Sequence, residues 1–234
     1  MKFRILILLL IVTWVYACDS GDIYPETNTV EKRVVEADFK ISDIGAFPRS
    51  ENYQLVFASF KDDVQYPLNY KLLPVPEQES AVLPVKLINI PDDADYVALS
   101  LLNKSRRIVH HFFKHSVADL GDQVLSLPEE NIKMISYNRL QQQLFNLKCV
   151  ACHGGANFTA AGLNLTESRS YGKLVNVSST VEDSKLRVHP GMPSKSFLLE
   201  ILMDRDAAGT DHTEMVDSDD VNLVKLWIEA GSLE

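Results

Sequence analysis

Several things are missing from this chain, and each absence removes a class of function. There is no glycine-rich phosphate loop, no Ser-His-Asp arrangement and no paired catalytic carboxylates, so the sequence makes no case for an enzyme. No apolar run reaches the length of a bilayer span, since the longest, Ile5 to Val15, is too short. Positive charge is in deficit: the formal net charge is −9, falling to about −11 if Lys2 and Arg4 leave with a cleaved leader, which makes nucleic acid a poor partner. Cysteine is scarce, with three residues in 234, and each of the three has a readable place.

The first is Cys18. Met1-Lys2-Phe3-Arg4 is a basic n-region and Ile5–Val15 an apolar core, the pattern of a secretion signal. It ends in Val15-Tyr16-Ala17-Cys18, which resembles the lipobox of bacterial lipoproteins, where cleavage falls before the cysteine and the thiol carries a diacylglycerol. That resemblance implies a signal peptide over residues 1–17, membrane attachment through lipid on Cys18, and a location in the bacterial cell envelope on the inner or outer membrane. Asp19 to about Lys32 is polar and aperiodic, so residues 18–33 read as the lipidated cysteine and a tether.

The other two thiols stand in Cys149-Val150-Ala151-Cys152-His153. Side chains three apart on a helical turn share a face, so both sulfurs can reach the two vinyl groups of one porphyrin, with His153 under the iron. The segment before it, Tyr137–Leu147, has no Gly or Pro and repeats Leu140, Leu144 and Leu147 at helical spacing, so a helix is predicted to run into the motif. A thioredoxin-like redox pair would instead follow a strand. Two alternatives stay open. The cysteines close a disulfide in a non-redox binding lipoprotein, or they hold zinc with His153 and one of His189, Asp211 or His212, although no second Cys or His pair stands at zinc-site spacing.

From residue 137 onward the chain resembles the single-haem cytochrome c domain attached to many bacterial lipoproteins and planctomycete-type membrane proteins. The resemblance is carried by Lys148–Gly154, Gly162-Leu163-Asn164-Leu165, Val188–Leu198 and Leu223–Gly231. It implies one covalent haem c held by Cys149, Cys152 and His153, and a terminal helix packed on the helix that enters the motif. It also implies a methionine ligand just before that last helix, which here is Met215; the family usually carries Pro where this chain has Val216. Met192, Met203 and His212 are rivals for the sixth position, and His212 would give a bis-imidazole haem of lower potential. The function expected is electron transfer, with an unnamed redox protein as partner, steered by charge to a basic patch.

Residues 34–128 differ in kind. Short β-rich runs alternate with Pro, Asp, Asn and Gly, and strands are predicted at Val34–Phe39, Tyr53–Ala58, Tyr70–Leu73, Leu83–Leu87, Tyr96–Leu101 and Arg107–Phe112. The expected architecture is therefore multidomain: an N-terminal all-β, immunoglobulin-like sandwich over residues 34–128, then a mainly α cytochrome c-like domain over 129–234, with Glu129–Met134 linking them. His110 and His111 are adjacent on a strand and should face opposite ways, which argues against a shared metal. The C-terminal helix should start on Asp217 or Ser218 and end before Gly231, with the remaining acidic residues on solvated surface.

Overall fold

The computed structural model describes residues 31–155 and 159–234; the leader, Cys18 and most of the tether lie outside the described residues. Lys32–Glu234 form one compact unit. Among the described residues, no helix is long and apolar enough to cross a membrane.

Each predicted strand run corresponds to a strand: β1 (Val34–Ser42), β2 (Tyr53–Phe60), β3 (Asn69–Leu72), β4 (Ala81–Leu87), β5 (Tyr96–Asn103) and β6 (Ile108–Ser116). Two more are short, β7 (Val124–Ser126) and β8 (Glu130–Lys133). One four-stranded sheet is centred on β1, which pairs antiparallel with β4 along one edge and parallel with β7 and then β8 along the other. The second sheet is antiparallel, in the order β3-β2-β5-β6. The sheets meet through alternating side chains: Val35, Ala37, Phe39 and Ile41 of β1 share a core with Leu55 and Phe57 of β2 and Val97 and Leu99 of β5. The Phe39 and Phe57 rings cross edge to face with centroids 5.3 Å apart.

β8 corrects the linker expectation. Glu130–Lys133 runs parallel to Phe39–Ser42 and buries Ile132 against the sheet. Four residues leave too little pattern for period-two alternation to register.

The helical part begins with Ser136, whose hydroxyl caps the first turn by accepting from Arg139 N–H. Helix α1 (Tyr137–Leu140) continues as a π-helical stretch, Gln141–Cys149, and then as α2 (Val150–His153). Wider winding changes which residues face inward. Leu140, Leu144 and Phe145 are fully buried, but Leu147, expected on the same face, is 58 % exposed. In its place Cys149 packs against the core.

Beyond lie α3 (Ser170–Leu174), α4 (Phe197–Met203) and α5 (Ser218–Glu229). Helix α5 has the expected ends. Asp217 is its N-cap and forms a reciprocal capping box with Asp220, and Gly231 follows the last turn at φ +94°. The inward face of α5 carries Leu223, Val224, Trp227 and Ile228, and Trp227 sits 5.3 Å from the Tyr137 ring. Sheet and helical regions share one apolar cluster, which runs from Phe39 and Phe57 through Leu144 and Phe145 to Trp227.

Candidate functional site

Cys149, Cys152 and His153 come together on the wall of one open, largely apolar cavity of about 300 Å³. The rest of the wall includes residues from later in the sequence: Leu163 and Leu165, Leu198, Ile201 and Leu202 of α4, and the turn that carries His212, Met215 and Val216. Met192, Met203, His189 and Asp211 are not part of that wall.

His153 is held in a defined way. Its Nδ1 lies 3.0 Å from the carbonyl oxygen of Ala160 and 3.2 Å from that of Leu163. Carbonyls only accept, so Nδ1 carries the proton and donates, which leaves Nε2 as the lone-pair nitrogen available to a metal. The loop is shaped for this: Ala161 adopts φ +52° inside the 3-10 turn Ala160–Gly162, bringing the two carbonyls on either side of it to the imidazole. Leu165 N–H also donates to His153 O at 2.6 Å, tying the motif to the same loop. Burial lowers the His153 pKa, which favours the neutral ring needed for ligation.

The two thiols differ. Cys149 is largely buried, and burial, reinforced by the nearby Asp220 carboxylate, pushes its pKa up to about 12; Cys152 is exposed. Reactive Cys-x-x-Cys redox pairs depend on a depressed thiol pKa, so the environment of Cys149 is the opposite of one built for disulfide exchange. Gly154 has a packing role that the sequence did not reveal: a Cβ there would lie 2.6 Å from the Val150 carbonyl oxygen, so only glycine lets the chain turn directly after the motif.

The turn that carries His212 is pinned by Asp211, whose carboxylate accepts from Thr213 N–H at 2.9 Å and Thr213 Oγ1 at 2.7 Å, bracketing His212. Arg205 pairs with the same carboxylate at 3.2 Å. The His153 and His212 rings lie 6.3 Å apart between centroids, with planes 30° apart. The His212 Nδ1 is buried and meets no hydrogen-bond partner among the described residues.

Behind the motif lies a polar cluster that corrects the expectation of solvated surface acids. Asp220 is fully buried and accepts from Tyr53 Oη at 3.1 Å, Gln143 Nε2 at 2.9 Å and the Lys148 ammonium. Burial alone would lower the Lys148 pKa, but the hydrogen bond and charge of Asp220 outweigh it and hold the ammonium above its ordinary value. Arg139, 1 % exposed, donates through Nη1 to the carbonyls of Ala46 and Met134 at 2.8 Å each and through Nε to Gln143 at 3.0 Å. Burial brings its pKa down to about 10. These contacts lock the helix before the motif to α5 and to the sheets. The Asp217-x-x-Asp220 spacing was the available sequence signal, but it also fits an ordinary exposed cap.

The two strand histidines face opposite ways, as expected. His110 Nδ1 donates to Gln142 Oε1 at 2.7 Å, while His111 bonds Ser100 and packs between Phe60 and Tyr96. Among the described residues no three His, Cys, Asp or Glu side chains converge as ligands for a single ion. Comparison with known proteins gives no match: no family model, no curated protein and no solved structure is similar enough to count. The likeness to haem domains therefore rests on the motif residues and on the cavity they line.

Proposed function

We propose that this chain is an electron-transfer protein that carries one covalent c-type haem and is anchored to a bacterial envelope membrane by lipid on Cys18. In this reading residues 129–234 are a cytochrome c-like domain and the two sheets an immunoglobulin-like support. The observation that carries the reading is the shared cavity: both thiols and an imidazole with its Nδ1 already committed line one apolar space. That donor set fits haem c: Cys149 and Cys152 would hold it through thioethers, His153 would ligate its iron, and the 212–215 turn would line its site.

When bound, the haem supplies a one-electron couple. The chain's own residues tune it. The Ala160 and Leu163 carbonyls fix the His153 tautomer and ring orientation, and their hydrogen bonds raise the basicity of the ligand nitrogen. Leu163, Leu165, Leu198 and Leu202 exclude water, which favours the less charged oxidation state. Acidic net charge steers the complex to a basic redox partner, so exchange rates should fall as ionic strength rises.

The test is a pyridine haemochrome spectrum of the full chain, secreted from cells with haem c maturation machinery. A covalent c-type band is expected in the wild type and should be lost in Cys149→Ala/Cys152→Ala. Its absence from the wild type, with a control cytochrome matured in the same cells, would move the function to a non-redox binding lipoprotein.

A further inference from the structure

We infer that His212, and not Met215, is the second axial ligand, so that this chain builds a bis-imidazole site; the inference rests on the haem reading above. Three observations converge on it. The first is separation. A metal–imidazole bond is about 2.0–2.1 Å and a five-membered ring of bonds near 1.33 Å puts each atom just over 1 Å from its centre, so two imidazoles sharing one metal from opposite sides hold their centroids about 6 Å apart. The His153 and His212 centroids are 6.3 Å apart and both rings line the cavity.

The second is an unmet need. His212 Nδ1 is buried without a partner among the described residues, although an imidazole in a protein interior ordinarily has its nitrogens satisfied. Asp211 and Thr213, on either side of His212 in the chain, are locked to each other, so the ring is presented from a braced turn. The third is the turn itself. A proline at position 216 would hold φ near −65°, but Val216 sits at φ −124°, outside the range a proline ring allows. The conformation that a Met-Pro pair would impose is therefore not the one present.

The experiment uses the full chain matured with haem and purified in detergent, comparing wild type, His212→Ala, His212→Met and Met215→Ala. The covalent haemochrome band is read first; if it is absent from the wild type the haem reading fails, independently of the ligand assignment. With the band present, the wild type should be low-spin and lack the thioether–iron charge-transfer band. Met215→Ala should keep the low-spin spectrum. His212→Ala should turn high-spin and return to low-spin on adding imidazole. His212→Met should raise the potential, because a thioether ligand favours the reduced iron. Far-UV circular dichroism of each variant separates ligand loss from unfolding. A thioether band in the wild type, loss of the low-spin state in Met215→Ala, or a high-spin wild type would overturn the assignment, the last meaning that the two rings merely pack together.

Discussion

The two-sheet region and the helical region solve the same burial problem in different ways. Between the sheets the chain fills its own interior: Phe39, Phe57, Val97 and Leu99 interdigitate and leave no exposure. In the helical region comparable apolar side chains, Leu163, Leu165, Leu198 and Leu202, belong to the same buried cluster but also line an open cavity. Regular structure follows the same division. The sheets carry strands of up to nine residues in regular ladders, whereas the wall of the cavity comes from loops, single 3-10 turns, α-helices of four to seven residues and the end of the π-helical stretch. A region whose core opens into an apolar cavity has room for a large apolar group, and that is the physical sense in which the proposed cofactor would belong to its core.

The largest effect should come from withholding haem. Hydrogen exchange measured on the full chain with and without haem should show weakened protection in α4 and around Ala160–Gly162, with β2 and β5 unchanged; equal protection throughout would erase the contrast between the regions. Next come two substitutions that attack each region at its centre. Phe57→Ala removes a fully buried ring between the sheets and should cost about 3–5 kcal/mol in urea denaturation, whether or not haem is present. Asp220→Ala leaves the Lys148 ammonium without its buried partner. It should cost about 3 kcal/mol, the low end for a broken buried pair, because Lys148 keeps 23 % of its side chain exposed.

A smaller and sharper contrast tests the π-helical register. Leu144→Ala should destabilise by about 2–5 kcal/mol, whereas Leu147→Ala, on the exposed side, should stay within about 0.5 kcal/mol. An α-helical register would make both costly. The mildest effect is on pH dependence. Burial lowers the pKa of His110 and of His111 from the ordinary 6.5 to about 4, so each is held neutral in the folded state. A depressed folded pKa means that this stability is fully present above pH 6.5 and is lost as pH falls from there towards 4. The denaturation midpoint should drop across that window, by at most about 1.4 kcal/mol per pH unit for His110. His110→Gln should flatten the slope, and an unchanged slope would show that neither the burial nor the Gln142 hydrogen bond controls it.

Much of this was legible residue by residue. The six longer strands announced themselves by β-rich runs between turn residues, and α5 by Asp217 at one end and Gly231 at the other. The placement of Cys149, Cys152 and His153 at the end of a helical run was also readable, since three-residue spacing on a helix is a local matter. What could not be read was anything that depended on a partner far along the chain. Asp220 looks like a surface cap until Tyr53, 167 positions away, donates to it. Glu130–Lys133 looks like a linker until β1 offers it an edge. Leu147 completes a helical stripe on paper, and only the wider π winding, with Val150 N–H reaching back to Phe145 O, turns it to solvent.

By itself, then, the amino-acid order determined the local chemistry: two thiols and an imidazole in one turn, a lipobox-like leader, strand-forming runs and a capped final helix. Only the tertiary structure decided which residue comes beside the His153 ring, because His212 and Met215 lie three positions apart and position in the sequence pointed to Met215. Their difference arises from the backbone angle at Val216, the Asp211–Thr213 brace and the burial of one nitrogen. Short-range patterns are written within a few residues, whereas the distal wall of the cavity is set by how chain segments about 60 residues apart pack against each other.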